Sequence, residues 1–257
     1  MRCSFVRLGI DMAMTPWQCA VTGNCNERYL AHSAFLGCDG RSPFERYPTL
    51  NLTPFFRLLN ATGSPHVFNP WREFDATTDL ARSAPQDRLE RLAAHLGCKP
   101  RYILIGEAAG YQGCKVSGIP FTSERLIVEG KIPRITTDEP CLSSRGRPWS
   151  EPSATTVWGT LHKLGIAEHT VLWNAYPWHP HKPGQPHSNR TPTPAERAAG
   201  VPVLRSFLGL FPKTALFAVG RNAEAALAEL GISATPLRHP SMGGATSFRQ
   251  GLSLSIR

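Results

Sequence analysis

From about residue 85 onward, the apolar positions of the chain switch repeatedly between two periods. Leu89, Leu92, Ala93 and Leu96 recur at helical spacing behind Pro85-Gln86-Asp87, and Gly97 follows as a stop, so a helix is predicted there. Tyr102-Ile103-Leu104-Ile105 is a short unbroken apolar run ending at Gly106, the pattern of a strand buried on both faces of a parallel sheet. The alternation then repeats. Ser153 is placed to cap a helix carrying Val157, Trp158, Leu161 and Leu164, closed by Gly165, and Val171-Leu172-Trp173 reads as the next buried strand. Thr193-Pro194-Ala195-Glu196 is a capping box with proline at the first helical position, whose hydroxyl and carboxylate can satisfy two free backbone donors. Leu216-Phe217-Ala218-Val219 forms a third strand, and a helix follows from Asn222 to Leu230, stopped by Gly231.

Strands separated by helices of this length predict an α/β fold, a three-layer α/β/α arrangement with a central, mostly parallel sheet. Ligands in such folds bind at the carboxyl ends of the strands. The segments after Ile105, Trp173 and Leu237 therefore share one rim. Two regions are expected: 1–84, less regular in period, as an N-terminal extension packed on the core, and 85–257 as the functional domain. Tyr176–Pro194, with prolines at 177, 180, 183, 186, 192 and 194, reads as a long loop.

A chain of 257 residues with 41% hydrophobic and 18% charged residues excludes disordered and coiled-coil classes. The net charge is +9, carried by 22 Arg and only 6 Lys. Arginine's planar fork suits phosphates and base edges, so an anionic partner fits. Seven cysteines with no C-x-x-C pair indicate neither a disulfide framework nor a zinc ribbon, and reduced thiols are the simpler account. With no export signal and no apolar run approaching the roughly 18 residues of a membrane helix, a cytoplasmic monomer free of the membrane is expected.

Three segments carry candidate chemistry. The first is Gly106-Glu107-Ala108-Ala109-Gly110-Tyr111, continuing to Gly118-Ile119-Pro120-Phe121-Thr122-Ser123-Glu124. Glycine directly after a strand lets backbone N–H groups approach a ligand, and a carboxylate at the rim can orient water. The second is Trp173-Asn174-Ala175-Tyr176-Pro177-Trp178-His179-Pro180-His181. Asn174 is placed where its strand ends, and its amide offers both donors and acceptors, which suits an imide edge. His179, His181 and His187 match no standard zinc spacing, so no metal is expected. The third is Arg238-His239-Pro240-Ser241-Met242-Gly243-Gly244, where a histidine braced by proline can donate to a developing oxyanion.

Together, in this order, the three segments resemble the uracil-DNA glycosylase superfamily over about residues 85–257. The first is similar to its Gly-Glu-Ala-Pro-Gly motif followed by Pro-Phe, and the third to its His-Pro-Ser motif. Asn174 matches the position of the family's uracil-reading asparagine. The resemblance implies excision of uracil from single- or double-stranded DNA by hydrolysis of the N-glycosidic bond, leaving an abasic site, with no cofactor. It implies catalytic roles for Glu107 and His239, and base contacts from Gly106, Ala108, Tyr111, Phe121 and Asn174. DNA contacts fall to Arg238, Ser241, Met242 and Gly243. Ala108 stands where the best-known branch has an aspartate, so orienting water passes to Glu107 or to no residue. Gly110 stands where that branch has the tyrosine that excludes thymine, and Tyr111 comes one place later. The cysteines of the iron–sulfur branch are missing. The alternative expectation is a protein that binds uracil or abasic DNA with little turnover.

Overall fold

A computed structural model describes residues 50–61, 64–136, 138 and 140–256. Of the extension expected over 1–84, residues 1–49 lie outside the described residues. The elements in chain order are α1 (Thr53–Leu59), β1 (Val67–Phe68), α2 (Ala84–Leu96), β2 (Tyr102–Ala108), α3 (Cys114–Ser117), α4 (Glu124–Val128), α5 (Pro152–Lys163), β3 (Thr170–Tyr176), β4 (His179–Pro180), α6 (Pro194–Leu210), β5 (Ala215–Val219), α7 (Arg221–Glu229), β6 (Thr235–Leu237) and α8 (Ala245–Ser255).

Four parallel strands make the central sheet in the order β3-β2-β5-β6. Successive side chains of a strand point to opposite faces, so each apolar run feeds two cores. Ile103, Ile105, Val171, Trp173 and Ala218 pack on one face beneath α1, α2, α6 and α7. Tyr102, Leu104, Leu172, Phe217 and Val219 pack on the other beneath α4, α5 and α8. The layered α/β/α architecture follows from this double burial. Helix α1, at residues 53–59, contributes Phe55, Phe56 and Leu59 to the first core, with Phe55 edge-on to Trp173 at 5.3 Å.

Three local expectations need correction. Ser153 does not cap α5; the cap is Glu151, two residues earlier, and the Ser153 hydroxyl instead donates to the Glu151 carboxylate. Strand β3 does not end at Asn174 but continues to Tyr176, because β2 keeps pairing with it as far as Ala108↔Tyr176. The 176–194 segment is not wholly loop, since His179–Pro180 pairs antiparallel with Val67–Phe68. The capping box at Thr193 forms as its sequence predicts, with Thr193 N–H donating to Glu196 Oε2 at 2.8 Å and Glu196 N–H to Thr193 Oγ1 at 3.3 Å.

His95, near the end of α2, is fully buried, and its Nε2 accepts from Leu172 N–H at 2.9 Å, joining the helix to β3. Burial, with the Arg134 charge adding to it, pushes its pKa down to about 3. The unfolded chain takes up this proton near pH 6.5 while the folded chain refuses it, so stability is full above pH 6.5 and is lost as pH falls towards 3. The loss from this one residue at pH 5 is about 2 kcal/mol. Denaturant unfolding at pH 7.5 and pH 5 should show His95→Gln losing about 2 kcal/mol less than the parent over that interval. Equal losses would contradict this assignment.

Candidate active site

The carboxyl ends of β2, β3 and β6 gather the three segments at one rim. Gly106 lies opposite Asn174 in the β2–β3 register. A Cβ built on Gly106 would stand 2.6 Å from the Phe121 ring and 2.7 Å from the Asn174 amide, so only glycine lets these two side chains close over the strand. Asn174 is 3% exposed. Its surroundings set the amide orientation: Nδ2 donates to Trp173 O and Oδ1 accepts from Ala109 N–H, both at 3.3 Å. One amide N–H and one oxygen lone pair remain for a ligand.

Phe121 is in the left-handed region at φ 50°, a conformation that costs on the order of 1 kcal/mol for a bulky residue and persists only where its neighbours hold it. Buried hydroxyls do so here. Ser117 Oγ donates to Thr122 O at 2.7 Å, Thr122 Oγ1 donates to Pro120 O at 3.1 Å, and Trp158 Nε1 on α5 donates to Thr122 Oγ1 at 2.9 Å. Nothing in the local sequence marks Ser117 or Trp158 for this role, since each looks like ordinary helix composition, and Thr122 stands out only as part of the first segment.

His239 follows β6, its ring centroid 6.0 Å from that of Phe121. Ser241 N–H donates to His239 Nδ1 at 3.1 Å, and the Ser241 hydroxyl lies 2.7 Å from the same nitrogen. Nδ1 is therefore an acceptor, which puts the proton of the neutral ring on Nε2. Burial, reinforced by the Arg238 charge, pushes the imidazole pKa down. The tautomer and the shift together make His239 a neutral Nε2–H donor.

A cavity of about 690 Å³ is lined by Glu107, His239, Ser241, Arg238, Arg221 and Asn222 among others. Glu107 is half-buried, and its Oε1 is sealed from solvent without a hydrogen-bond partner. Gly220, at φ 93°, closes the floor, where a Cβ would come within 3.2 Å of His239 Cβ. Beyond His239 the loop turns through Met242 at φ 51° and Gly243 at φ 75°. Met242 is 91% exposed. Arg238 donates to His239 O at 3.3 Å and to Met242 O at 3.4 Å, bracing this loop from within while itself exposed. Gly244 is buried, and a Cβ there would collide with His239 O.

Gly106, Phe121 and Asn174 thus meet, Phe121 lies beside His239, and Glu107, His239 and Ser241 line the cavity. Ala108, half-buried, ends β2 opposite Tyr176. Tyr111 points elsewhere: its ring packs edge-on to Trp149 at 5.8 Å and beside His187 at 6.3 Å, and its N–H donates to Asn189 Oδ1 at 3.0 Å. Gly110 faces Asn189 and Glu151. The Glu151 pKa is raised by burial, which the Ser153 hydroxyl bond only partly offsets. His179 is buried with Nδ1 on Ala109 O at 2.8 Å, so it braces the first motif, and burial pushes its pKa down to about 4. His187 meets Thr78 Oγ1 at 3.1 Å. Among the described residues, no three His, Cys, Asp or Glu side chains form a metal-binding group.

A glycine-backed aromatic, an amide and a neutral histidine lie at the carboxyl rim of this parallel sheet. The profile of the Uracil DNA glycosylase superfamily matches residues 94–250, and the chain belongs to that superfamily. Its activity is accordingly of the DNA glycosylase type, with DNA as partner. Its structure is similar to that of wild-type SMUG2 from Pedobacter heparinus, with a TM-score of 0.54 and 20% sequence identity, covering 77% of this chain and 90% of that one. No curated protein sequence matches this chain.

Proposed function

We propose that the protein hydrolyses the N-glycosidic bond of deoxyuridine in DNA, releasing uracil and leaving an abasic site. The observation that carries this reading is the Ser241 N–H bond to His239 Nδ1, which leaves a neutral Nε2–H donor on a ring beside Phe121, itself packed with Asn174 over Gly106. A target base has to leave the stack to reach this rim, at a cost of a few kcal/mol. Phe121 then stacks on its face. The free lone pair of Asn174 Oδ1 accepts from uracil N3–H and the free N–H of Nδ2 donates to O4, whereas cytosine presents the reverse pattern at both positions.

As the bond between C1′ and N1 breaks, its electron pair moves onto the base and negative charge grows on O2. His239 Nε2–H donates to that oxygen, an interaction stronger in the transition state than in the ground state. The sugar becomes correspondingly cationic. Glu107, which lines the same cavity, stabilises that charge and orients the water whose oxygen bonds to C1′. The water's proton leaves with the uracil anion or solvent. Met242, exposed on a braced loop, fills the gap that the base vacates, and Arg238, Ser241 and Gly243 meet the flanking phosphates.

Purified protein incubated with single- and double-stranded oligonucleotides bearing one uracil, then treated with alkali, should give breaks at the uracil in the presence of EDTA. Absence of breaks in both substrates would refute the reading. Saturable binding with less than one product per protein molecule would instead assign the pocket to recognition, as the side chain missing at Ala108 allows.

A further inference from the structure

Glu124 ends the Gly-Ile-Pro-Phe-Thr-Ser-Glu segment, three residues after Phe121, and it is fully buried. A buried carboxylate is costly unless its oxygens are well supplied with donors. Here four donors meet it: Leu142 N–H and Ser143 N–H reach Oε1, both at 2.9 Å, while the Ser143 hydroxyl at 2.7 Å and Trp149 N–H at 3.1 Å reach Oε2. These donors come from both ends of one exposed excursion, Ser144-Arg145-Gly146-Arg147-Pro148. The carboxylate therefore works as a staple across the base of that loop. A second fastening adds to it, since Ser144 N–H donates to Thr78 O at 2.8 Å and Arg125 N–H to Trp149 O at 3.0 Å.

What the staple holds up is positive charge. Arg145 and Arg147 are both exposed, and no acidic residue lies between Cys141 and Ser150. The Arg145 guanidinium sits 4.1 Å from the Trp149 ring centroid, a cation–π contact that orders the side chain while leaving its N–H edges open. Trp149 continues into Tyr111 and His187, so the arginine is joined through packed aromatic rings to the end of the first motif. The Glu124 charge also supports that of the buried Arg91, and the loop that it fastens presents two further cations at the surface.

We propose that the Ser144–Pro148 loop is a second DNA-contacting element, in which Arg145 and Arg147 take phosphates of the strand as it runs past the pocket on the Tyr111 side. The proposal rests on the DNA glycosylase reading above, and it adds a contact distinct from the Met242 loop. Each phosphate neutralised releases a counterion and contributes about 0.9 to the slope of log K against log salt. Binding of a duplex oligonucleotide should be measured by fluorescence anisotropy from 50 to 300 mM NaCl, for the parent, for Arg145→Ala/Arg147→Ala, and for the charge-matched Arg57→Ala/Arg205→Ala outside the loop. The loop variant should lower the slope by about 2 and weaken binding on the order of tenfold or more at 100 mM salt, and the charge-matched variant should do neither. Arg145→Lys, which keeps the charge, should retain the slope.

A loop variant with the parental slope, in a protein that still binds DNA and cuts at uracil, would overturn the loop proposal and leave the glycosylase reading intact. Equal losses in the loop and charge-matched variants would also overturn it, by tracing the effect to net charge. A parent that neither binds DNA nor excises uracil would remove both.

Discussion

Replacing His239 by alanine should lower the single-turnover rate of uracil excision on the order of 10²- to 10³-fold, the loss expected when one preorganised oxyanion donor is removed from an active site. The size of the effect follows from where the imidazole stands. Its Nδ1 is held as an acceptor by Ser241 N–H, so its one proton is on Nε2 and no reorientation is needed as charge develops. The pH profile provides a second reading. Protonation would place an N–H at Nδ1 facing the Ser241 N–H, so the active form is the neutral one. Because burial and Arg238 depress the pKa, that form persists below the ordinary value of 6.5, and the acid limb of the rate should have its midpoint under 6.5. This limb should vanish in His239→Ala. Lys213→Ala is the matched control: Lys213 is exposed at the amino end of β5, the opposite edge of the sheet from the site, and its loss should leave the rate unchanged. A His239→Ala protein excising uracil within a few-fold of the parent would show that another group carries the charge of the departing base.

Asn174→Asp should be nearly as damaging. The substitution keeps the shape of the side chain but exchanges Nδ2 for a carboxylate oxygen. That oxygen would face Trp173 O, where the amide now donates at 3.3 Å, and would have nothing to offer uracil O4. A buried polar group set against an acceptor costs roughly 1–3 kcal/mol, and a charged one more. Excision should fall on the order of 100-fold, since a site built to pair with a substrate's polar edge discriminates strongly when one partner is lost. Circular dichroism at the assay temperature separates a folded, inactive variant from an unfolded one. A folded Asn174→Asp protein with parental activity on uracil would remove the amide from base recognition.

These two side chains illustrate different degrees of legibility. His239 and Asn174 were readable as candidates because each follows or ends an apolar run that alternation marks as a buried strand, and because parallel sheets collect ligands at the carboxyl rim. The tautomer of His239 was not readable, since it depends on the Ser241 N–H, two residues later, turning back onto the ring. Tyr111 shows the limit from the other side. Its place directly after Gly110 suggested a wall for the base, yet its ring goes to Trp149 and His187, residues 38 and 76 positions further along the chain. No local period reports contacts over such separations. Glu124 likewise looks like an ordinary first-turn acid of a short helix, and only the loop returning at Leu142–Trp149 reveals what its carboxylate serves.

By itself the chain's pattern determined the layered sheet, the main helices and strands between about residues 85 and 230, and the rim on which the three segments fall. These follow from short-range physics: two hydrophobic periods, capping and helix stops, each decided within about ten residues. Tertiary structure decided the rest. It placed the Phe121 ring over a position where even one added methyl would collide, set the Asn174 amide by contacts with Ala109 and Trp173, and turned a buried carboxylate into the clasp of an arginine loop. Such features depend on the direction of a few donors and on gaps of tenths of an ångström between distant segments. Those quantities come into being only when the sheet has closed and the loops have nowhere else to pack.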